Sequence, residues 1–212
     1  KGAVYDVSII CPLDKSATLP FEILDGIEIY RHPLPGDAES AIGYFKEYGA
    51  ALFWEIRLSR GINRRKKVDI VHACNPPDLI FLVGLYLKLV AGTKFVFDHH
   101  DLNPELFDAK FGRRGFLYRV VCLLERLTFR TADISIATND SYKRVAIDRG
   151  RMAPSKVFVV RSGPELARMK ILPPNEVWKN GRKHLVGYVG VMGAQEGIHY
   201  LLGAAHYIVH YL

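Results

Sequence analysis

Two histidines and two aspartates follow a short apolar run in the stretch KFVFDHHDLNPELF, residues 94–107. Imidazole and carboxylate groups serve enzymes in acid–base chemistry, and they also bind metal ions. A further histidine, His72, lies near the end of a second apolar run, VDIVHAC. Ligands of parallel α/β sheets bind beyond the carboxyl ends of the strands. The sequence therefore predicts a functional site that includes His72 and the cluster His99, His100 and Asp101.

The residues alone leave three interpretations of this cluster open. Successive side chains of a strand point to opposite faces, so His99 and His100 should diverge, one into the cleft and the other into packing or a cap. The same divergence makes the adjacent pair poor joint ligands, and we expect no metal site. Structural histidines beneath a loop are the third interpretation. The position at the end of a strand favours the functional role.

Apolar runs alternate with helical patterns along most of the chain, and these elements must position the cluster. The predicted strands cover residues 4–11, 26–32, 68–74, 94–99, 133–138 and 156–162. The predicted helices cover about 38–65 and 115–132, and two more begin near Asn75 and Asn139, because asparagine favours the helix cap. Continuous apolar strands are typical of a parallel sheet covered on both faces. The alternation predicts an α/β fold with a doubly wound parallel sheet.

The composition of the sequence changes after Ser162. Residues 1–163 are predicted to form one domain. Residues 164–183 are rich in proline and in charged residues, which predicts a linker. A new unit then begins, with a predicted strand at 184–190, a glycine-rich turn and a helix. One strand and one helix bury little apolar surface, so residues 184–212 are expected to be only the start of a second domain.

The turn GYVGVMGAQEG lies between the predicted strand and helix of the second unit. Glycines at such a turn let backbone N–H groups approach a phosphate at the positive end of the helix. This pattern indicates a phosphate-binding turn with the candidate residues Gly190, Gly193, Gln195 and Gly197.

The formal net charge is +7, which favours an anionic partner such as a phosphorylated substrate, a nucleic acid or an anionic membrane surface. An apolar helix fringed with arginine, 115–132, fits the membrane alternative. The three cysteines are far apart in the chain, which is typical of reduced thiols in a cytoplasmic protein. No signal peptide is expected, and the apolar stretch 78–92 is shorter than a spanning helix.

Several segments together resemble family 4 glycosyltransferases, and most closely the bacterial enzymes that build surface polysaccharides. They are VDIVHACNPPDLIFL, KFVFDHHDLNPELF, LLERLTFRTADISIATNDSYKRVAIDRG, KVFVVRSGPELARMK and LVGYVGVMGAQEGIHYLL. The resemblance implies a GT-B fold, in which two Rossmann-like domains face a cleft. It also implies a retaining transfer from a nucleotide-sugar, without a metal or another cofactor.

The resemblance also implies roles for individual residues. His100, with Asp101 beside it, is expected to act at the transferring sugar, and His99 competes for that assignment. The acceptor side of the cleft is expected to include His72, Asn75, His99 and Glu105. The glycine-rich turn, Gly190, Gly193, Gln195 and Gly197, would hold the diphosphate of the donor.

The chain departs from the family pattern in two ways. Val191 and Glu196 stand where the family commonly has arginine and lysine on the donor diphosphate. The first strand matches the second strand of the family, and the later pair of glutamates that holds the donor is absent. We therefore expect this chain to be an internal portion of a transferase that is inactive by itself.

The sequence thus predicts a glycosyltransferase that uses a nucleotide-sugar donor and a lipid-linked or saccharide acceptor. It is expected in the cytoplasm, with peripheral binding to the inner face of the cell membrane as an open alternative, and with no nucleic-acid partner. Two alternatives stay open: a nucleotide-sugar epimerase of the same fold, and a basic binding module without catalysis.

Overall fold

A computed structural model of the chain describes residues 5–13, 19–33, 41–112, 114–164, 167–190, 192–193 and 196–211. The chain divides into two compact units. The first comprises Lys1–Asp108 and Gly112–Arg161, and the second comprises Ala109–Phe111 and Ser162–Leu212.

Seven strands and six α-helices are present in the described residues. The strands are β1 (Ser8–Pro12), β2 (Phe21–Leu24), β3 (Ile27–His32), β4 (Ile70–Cys74), β5 (Lys94–His99), β6 (Ile134–Ala137) and β7 (Val157–Val159). The helices are α1 (Ala41–Arg65), α2 (Phe81–Ala91), α3 (Asn103–Phe111), α4 (Phe116–Thr131), α5 (Asp140–Asp148) and α6 (Ile198–Tyr211).

The strands form two sheets. The four-stranded sheet has the order β4-β5-β6-β7, and all its neighbours are parallel. The three-stranded sheet has the order β1-β3-β2, with β1 parallel and β2 antiparallel to β3. The parallel sheet and its flanking helices confirm the predicted Rossmann-like α/β fold.

The core lies on one face of the four-stranded sheet, against α2, α4 and α5. Phe95 and Phe97 of β5 are fully buried there and pack with Phe129 of α4. Helix α2 approaches β5 so closely that a Cβ atom on Gly84 would lie 2.7 Å from the ring of Phe95.

The opposite face of the same sheet is open in the described structure. Ile70 of β4 is 58% exposed and Phe158 of β7 is 50% exposed. Burial along β4 and β5 accordingly alternates, whereas the continuous apolar runs predicted cover on both faces. The difference arises because the described helices that pack on this sheet bury only one set of alternate residues.

Strands β2 and β3 form a hairpin that the sequence prediction missed. Two residues, Asp25 and Gly26, join them, and both have positive φ, 50° and 81°. Positive φ at both central positions suits a two-residue hairpin turn, for which Asp-Gly is a preferred sequence.

The helix starts agree only in part with the sequence prediction. Asn139 caps α5 as predicted, because its side chain accepts hydrogen bonds from the N–H groups of Ser141 and Tyr142. Asn75 does not cap a helix, which corrects the prediction. A short 3-10 helix at Asp78–Ile80 precedes α2 and starts without a side-chain cap, while the amide of Asn75 bonds to the chain beyond β5.

The second unit contains a 3-10 turn at Glu176–Lys179 and helix α6. The strand predicted at 184–190 is not formed: these residues are described, and they pair with no other described strand. A β-strand requires a neighbour for its backbone hydrogen bonds, and the apolar pattern of these residues does not supply one.

Candidate active site

The parallel pairing of β4 and β5 brings polar residues together at the carboxyl ends of both strands. Cys74 of β4 lies opposite Asp98 of β5 in the register. His72, two residues before Cys74, lies on the same face of the sheet, and so does His100, two residues after Asp98. The cluster therefore follows from strand alternation together with the register.

Asp98 lies between the two histidines. The Nε2 atom of His72 is 3.0 Å from Oδ2 of Asp98, and the Nε2 atom of His100 is 3.2 Å from Oδ1. The two imidazole side chains are 54% and 45% exposed, whereas that of Asp98 is only 19% exposed. One carboxylate thus contacts both rings, and each ring keeps a solvent-accessible side.

Asn75 fixes the backbone beyond β5. Its Oδ1 accepts hydrogen bonds from the N–H groups of His100, at 2.9 Å, and Asp101, at 3.3 Å. Its Nδ2 donates to the carbonyl oxygen of Asp101 at 2.7 Å. Asn75 is 3% exposed, so these bonds replace the water that its amide would otherwise bind. Asn75, a predicted acceptor-side residue, thus positions the backbone of His100.

His99 points to the opposite face of the sheet from His100. Its ring is fully buried between Phe97, Phe129 and Tyr142, at centroid distances of 5.6, 5.1 and 5.0 Å. Burial lowers the pKa of His99 to about 4, because the charged imidazolium would lose its hydration. His99 is therefore a neutral core residue at pH 7, and His100 is the ring at the open face.

Asp101, the predicted catalytic partner of His100, contributes its backbone to Asn75. The carboxylate that the structure places beside the ring of His100 is that of Asp98. The sequence contained a signal for this contact: Asp98 and His100 are two residues apart at a strand end, and such residues share a face.

Glu105 at the start of α3 forms an ion pair with Arg149, with 2.6 Å between Oε1 and Nη1. Arg149 also contacts Glu125, which is 1% exposed. Burial raises the pKa of Glu125, while the hydrogen bond from Arg149 opposes this shift. Glu105, predicted at the acceptor side, thus belongs to a network that joins α3 to α4 and to the residue after α5.

The predicted donor turn lies in the second unit, and Gln195 lies outside the described residues. Gly197, with φ of 66°, precedes α6. A Cβ atom on Gly190 would lie 2.6 Å from the hydroxyl of Tyr188, so this position has room only for glycine unless the tyrosine moves. The carbonyl of Gly193 accepts a hydrogen bond from the N–H of Glu196 at 3.1 Å.

The described residues contain no group of three or more histidine, cysteine, aspartate or glutamate side chains that could hold a metal ion. Within the same residues, no helix is both long and apolar enough to cross a membrane.

The model of the family described as Glycosyltransferase Family 4 matches residues 3–168. The match covers the three-stranded sheet, the four-stranded sheet and the histidine cluster between β4 and β5. No protein in a search of curated sequences matches the chain.

Proposed function

The chain belongs to glycosyltransferase family 4, and we propose that it forms the acceptor side of a site that transfers a sugar from a nucleotide-diphosphate donor. The acceptor is a hydroxyl group of a lipid-linked or saccharide substrate. The observation that carries the proposal is the cluster of His72, Asp98 and His100 at the carboxyl ends of two parallel strands. Such strand ends are where α/β sheets bind ligands.

In the proposed reaction, the bond between the anomeric carbon and the diphosphate oxygen breaks. A bond forms between that carbon and the acceptor oxygen, with retained configuration, and the hydroxyl proton leaves with the nucleotide diphosphate. Negative charge grows on the leaving diphosphate, so N–H groups should stabilise it. The glycine-rich turn before α6 supplies candidate backbone N–H groups, among them that of Gly193. No metal ion is part of the proposal.

The proposed setting is the synthesis of bacterial surface polysaccharide, at the cytoplasmic face of the membrane. The net charge of +7 supports attraction to an anionic surface there. A lipid-linked acceptor would be reached at that surface, so this location and this acceptor support each other.

Acceptor binding by the chain tests the proposal directly. We expect the side-chain NMR signals of His72 and His100 to shift on titration with short saccharides or lipid-linked saccharides. Neutral polyols without a sugar ring serve as the control ligand, and His100→Ala as the control variant. Shifts with every polyol, or saccharide shifts confined to other parts of the sheet, would contradict the assignment.

Turnover separates the proposed transfer from the two alternatives. In a preparation that contains this chain and consumes a nucleotide-sugar, we expect new glycoside only when acceptor is present. Formation of an epimeric nucleotide-sugar without acceptor would identify an epimerase instead. Tight, salt-sensitive binding to polyanions that ignores sugars would identify a basic binding module.

A further inference from the structure

We propose that Asp98 is a positioning residue that holds the rings of both His72 and His100 in the tautomer with the proton on Nε2. This proposal deepens the proposed function. Its interpretation as an arrangement that binds sugar rests on that function, whereas the test of the tautomers does not. Its consequence is that each ring presents an unprotonated Nδ1 atom to a ligand. The pair would then recognise hydroxyl groups of a sugar, which donate hydrogen bonds.

The argument begins with the hydrogen-bonding capacity of a carboxylate. An ionised aspartate only accepts hydrogen bonds, whereas a neutral imidazole has one donor nitrogen and one acceptor nitrogen. The Nε2 atoms of both rings face Asp98, at 3.0 and 3.2 Å. The hydrogen bond between His72 and Asp98 therefore requires the proton on Nε2 of His72. The Nε2 atom of His100 lies 3.2 Å from the other oxygen, Oδ1, where the negative charge of the carboxylate favours a proton on Nε2, so the two contacts do not compete.

The backbone holds this arrangement in place. Asp98 and His72 lie inside paired parallel strands, where the register sets their separation. His100 follows β5, and its N–H is fixed by the buried side chain of Asn75. Asp98 is also the least exposed of the three side chains, so water competes less for its oxygens than for the rings.

The ligand class follows from the remaining nitrogen of each ring. With Nε2–H directed at Asp98, Nδ1 of a neutral ring carries a lone pair and accepts a hydrogen bond. A hydroxyl group donates to such an atom, whereas a diphosphate oxygen has no proton to donate. We infer that this face binds sugar hydroxyls and that the donor diphosphate is bound elsewhere.

The test is the tautomeric state of the rings, which long-range proton–nitrogen NMR correlations report without any substrate. The chain contains eight histidines, and the signals of the two rings are assigned with the variants His72→Gln and His100→Gln. At a pH where the rings are neutral, we expect the pure Nε2–H pattern for both. In Asp98→Asn, the side-chain NH₂ group must face one of the rings, so at least one ring should change to the Nδ1–H tautomer.

Asp101→Asn is the matched control, because it removes a neighbouring carboxylate and should leave both patterns unchanged. The buried ring of His99 reports that the variants fold. Averaged tautomers in the wild type, or identical patterns in wild type and Asp98→Asn, would overturn the proposal.

Saccharide affinity gives a second measurement, and we expect Asp98→Asn to weaken it about tenfold, the effect of one hydrogen bond. Fixed tautomers without any saccharide binding would leave the positioning role intact and count against the proposed function alone.

Discussion

His99 and His100 are neighbours in the chain, but they occupy opposite environments. His100 lies at the open face beside Asp98, and His99 is buried among aromatic rings. In an active enzyme that contains this chain, we expect His100→Ala to lower turnover about a hundredfold, the contribution of a positioned polar group at the reacting sugar. The melting temperature should change little. Wild-type turnover in His100→Ala would refute the assignment.

The same measurements on His99→Ala should give the reverse pattern. Removal of a buried ring leaves a cavity and costs about 3 kcal/mol of unfolding free energy. Turnover per folded molecule should fall much less than in His100→Ala. A loss of turnover as large as that of His100→Ala, at equal folded fraction, would show that His99 takes part in the reaction.

The depressed pKa of His99 makes the stability of the first unit depend on pH. Its folded-state pKa is about 4, below the ordinary value of 6.5, so between these values the unfolded state binds more protons. The contribution is complete above the ordinary pKa and is lost as pH falls toward 4. Since one pKa unit corresponds to 1.36 kcal/mol, the full effect is on the order of 3 kcal/mol.

Urea unfolding at pH 7 and pH 5 checks this expectation. We expect the wild type to lose more stability between the two pH values than His99→Leu, which has no proton to bind. Phe97→Leu is the control, because it alters the same core without removing a titrating group, and it should retain the wild-type dependence. Equal pH dependence in all three proteins would contradict the buried neutral state of His99.

At the residue scale, the sequence predicted that histidines lie at the carboxyl ends of β4 and β5, but it predicted few of their contacts. Strand alternation predicted that His99 and His100 diverge, and the structure places them on opposite faces. The bridging role of Asp98 was missed, because it depends on the register between β4 and β5 as well as on alternation. Asn75 was predicted to cap a helix, but its amide contacts residues beyond β5, and this contact spans 25 positions of the chain.

Among the elements, α3, α4 and α5 are joined through Arg149. Its partner Glu125 on α4 is almost completely buried, so loss of Arg149 would leave a carboxylate without its counter-charge. We expect Arg149→Met to cost about 3–5 kcal/mol of unfolding free energy, as for other broken buried pairs. Chemical denaturation measures this cost.

Arg161→Met is the matched control for Arg149→Met. Arg161 pairs with Asp140 at the surface, where both side chains are exposed, so its loss should cost less than about 1 kcal/mol. The double variant Glu125→Met with Arg149→Met should recover much of the lost stability, because no buried charge remains. Equal costs for Arg149→Met and Arg161→Met would show that the buried pair has no special importance.

Helix α4 turns one side toward the core and exposes apolar residues near its start. Glu125, Thr128 and Phe129 are buried, whereas Phe116 is 79% exposed and Leu117 is also exposed. Because arginines flank this end, we expect weak, salt-sensitive binding to anionic vesicles and none to neutral vesicles. Co-sedimentation with both vesicle types measures it.

Serine at both Phe116 and Leu117 should reduce the membrane binding of α4. Leu89→Ser is the control, since Leu89 is an equally exposed apolar residue on α2. Binding to neutral vesicles as strong as to anionic ones, or no binding at low salt, would contradict an electrostatic association through α4.

Sequence patterns predicted some of the strands correctly and failed for others. Strand β5 was predicted with its observed bounds, because its apolar run coincides with a buried central strand. The hairpin of β2 and β3 was missed although Asp25-Gly26 is a recognisable turn. Residues 184–190 carry an apolar pattern but form no strand, because pairing depends on a neighbour and not on the pattern alone.

For the whole molecule, the two sheets leave strand edges without a partner. Among the described strands, β1 pairs only with β3, and β4 pairs only with β5. The open face of the four-stranded sheet adds exposed apolar side chains beside one of these edges. Unpaired edges and apolar surface promote association between chains, so we expect the isolated chain to self-associate or to be poorly soluble.

The exposure of helix α6 determines what we expect of donor binding. The predicted donor turn precedes α6, a helix of 14 residues that buries none of its side chains in the described structure. A nucleotide bound at this turn would have few fixed groups around it, and pockets bind tightly only when they enclose most of the ligand. We therefore expect no measurable affinity of the isolated chain for nucleotide-sugars, and no sugar transfer.

Calorimetry of monodisperse chain against uridine and guanosine diphosphate sugars tests this, with Gly193→Val as the control for any heat that appears. Micromolar binding that Gly193→Val abolishes would show that these residues already form a complete donor site.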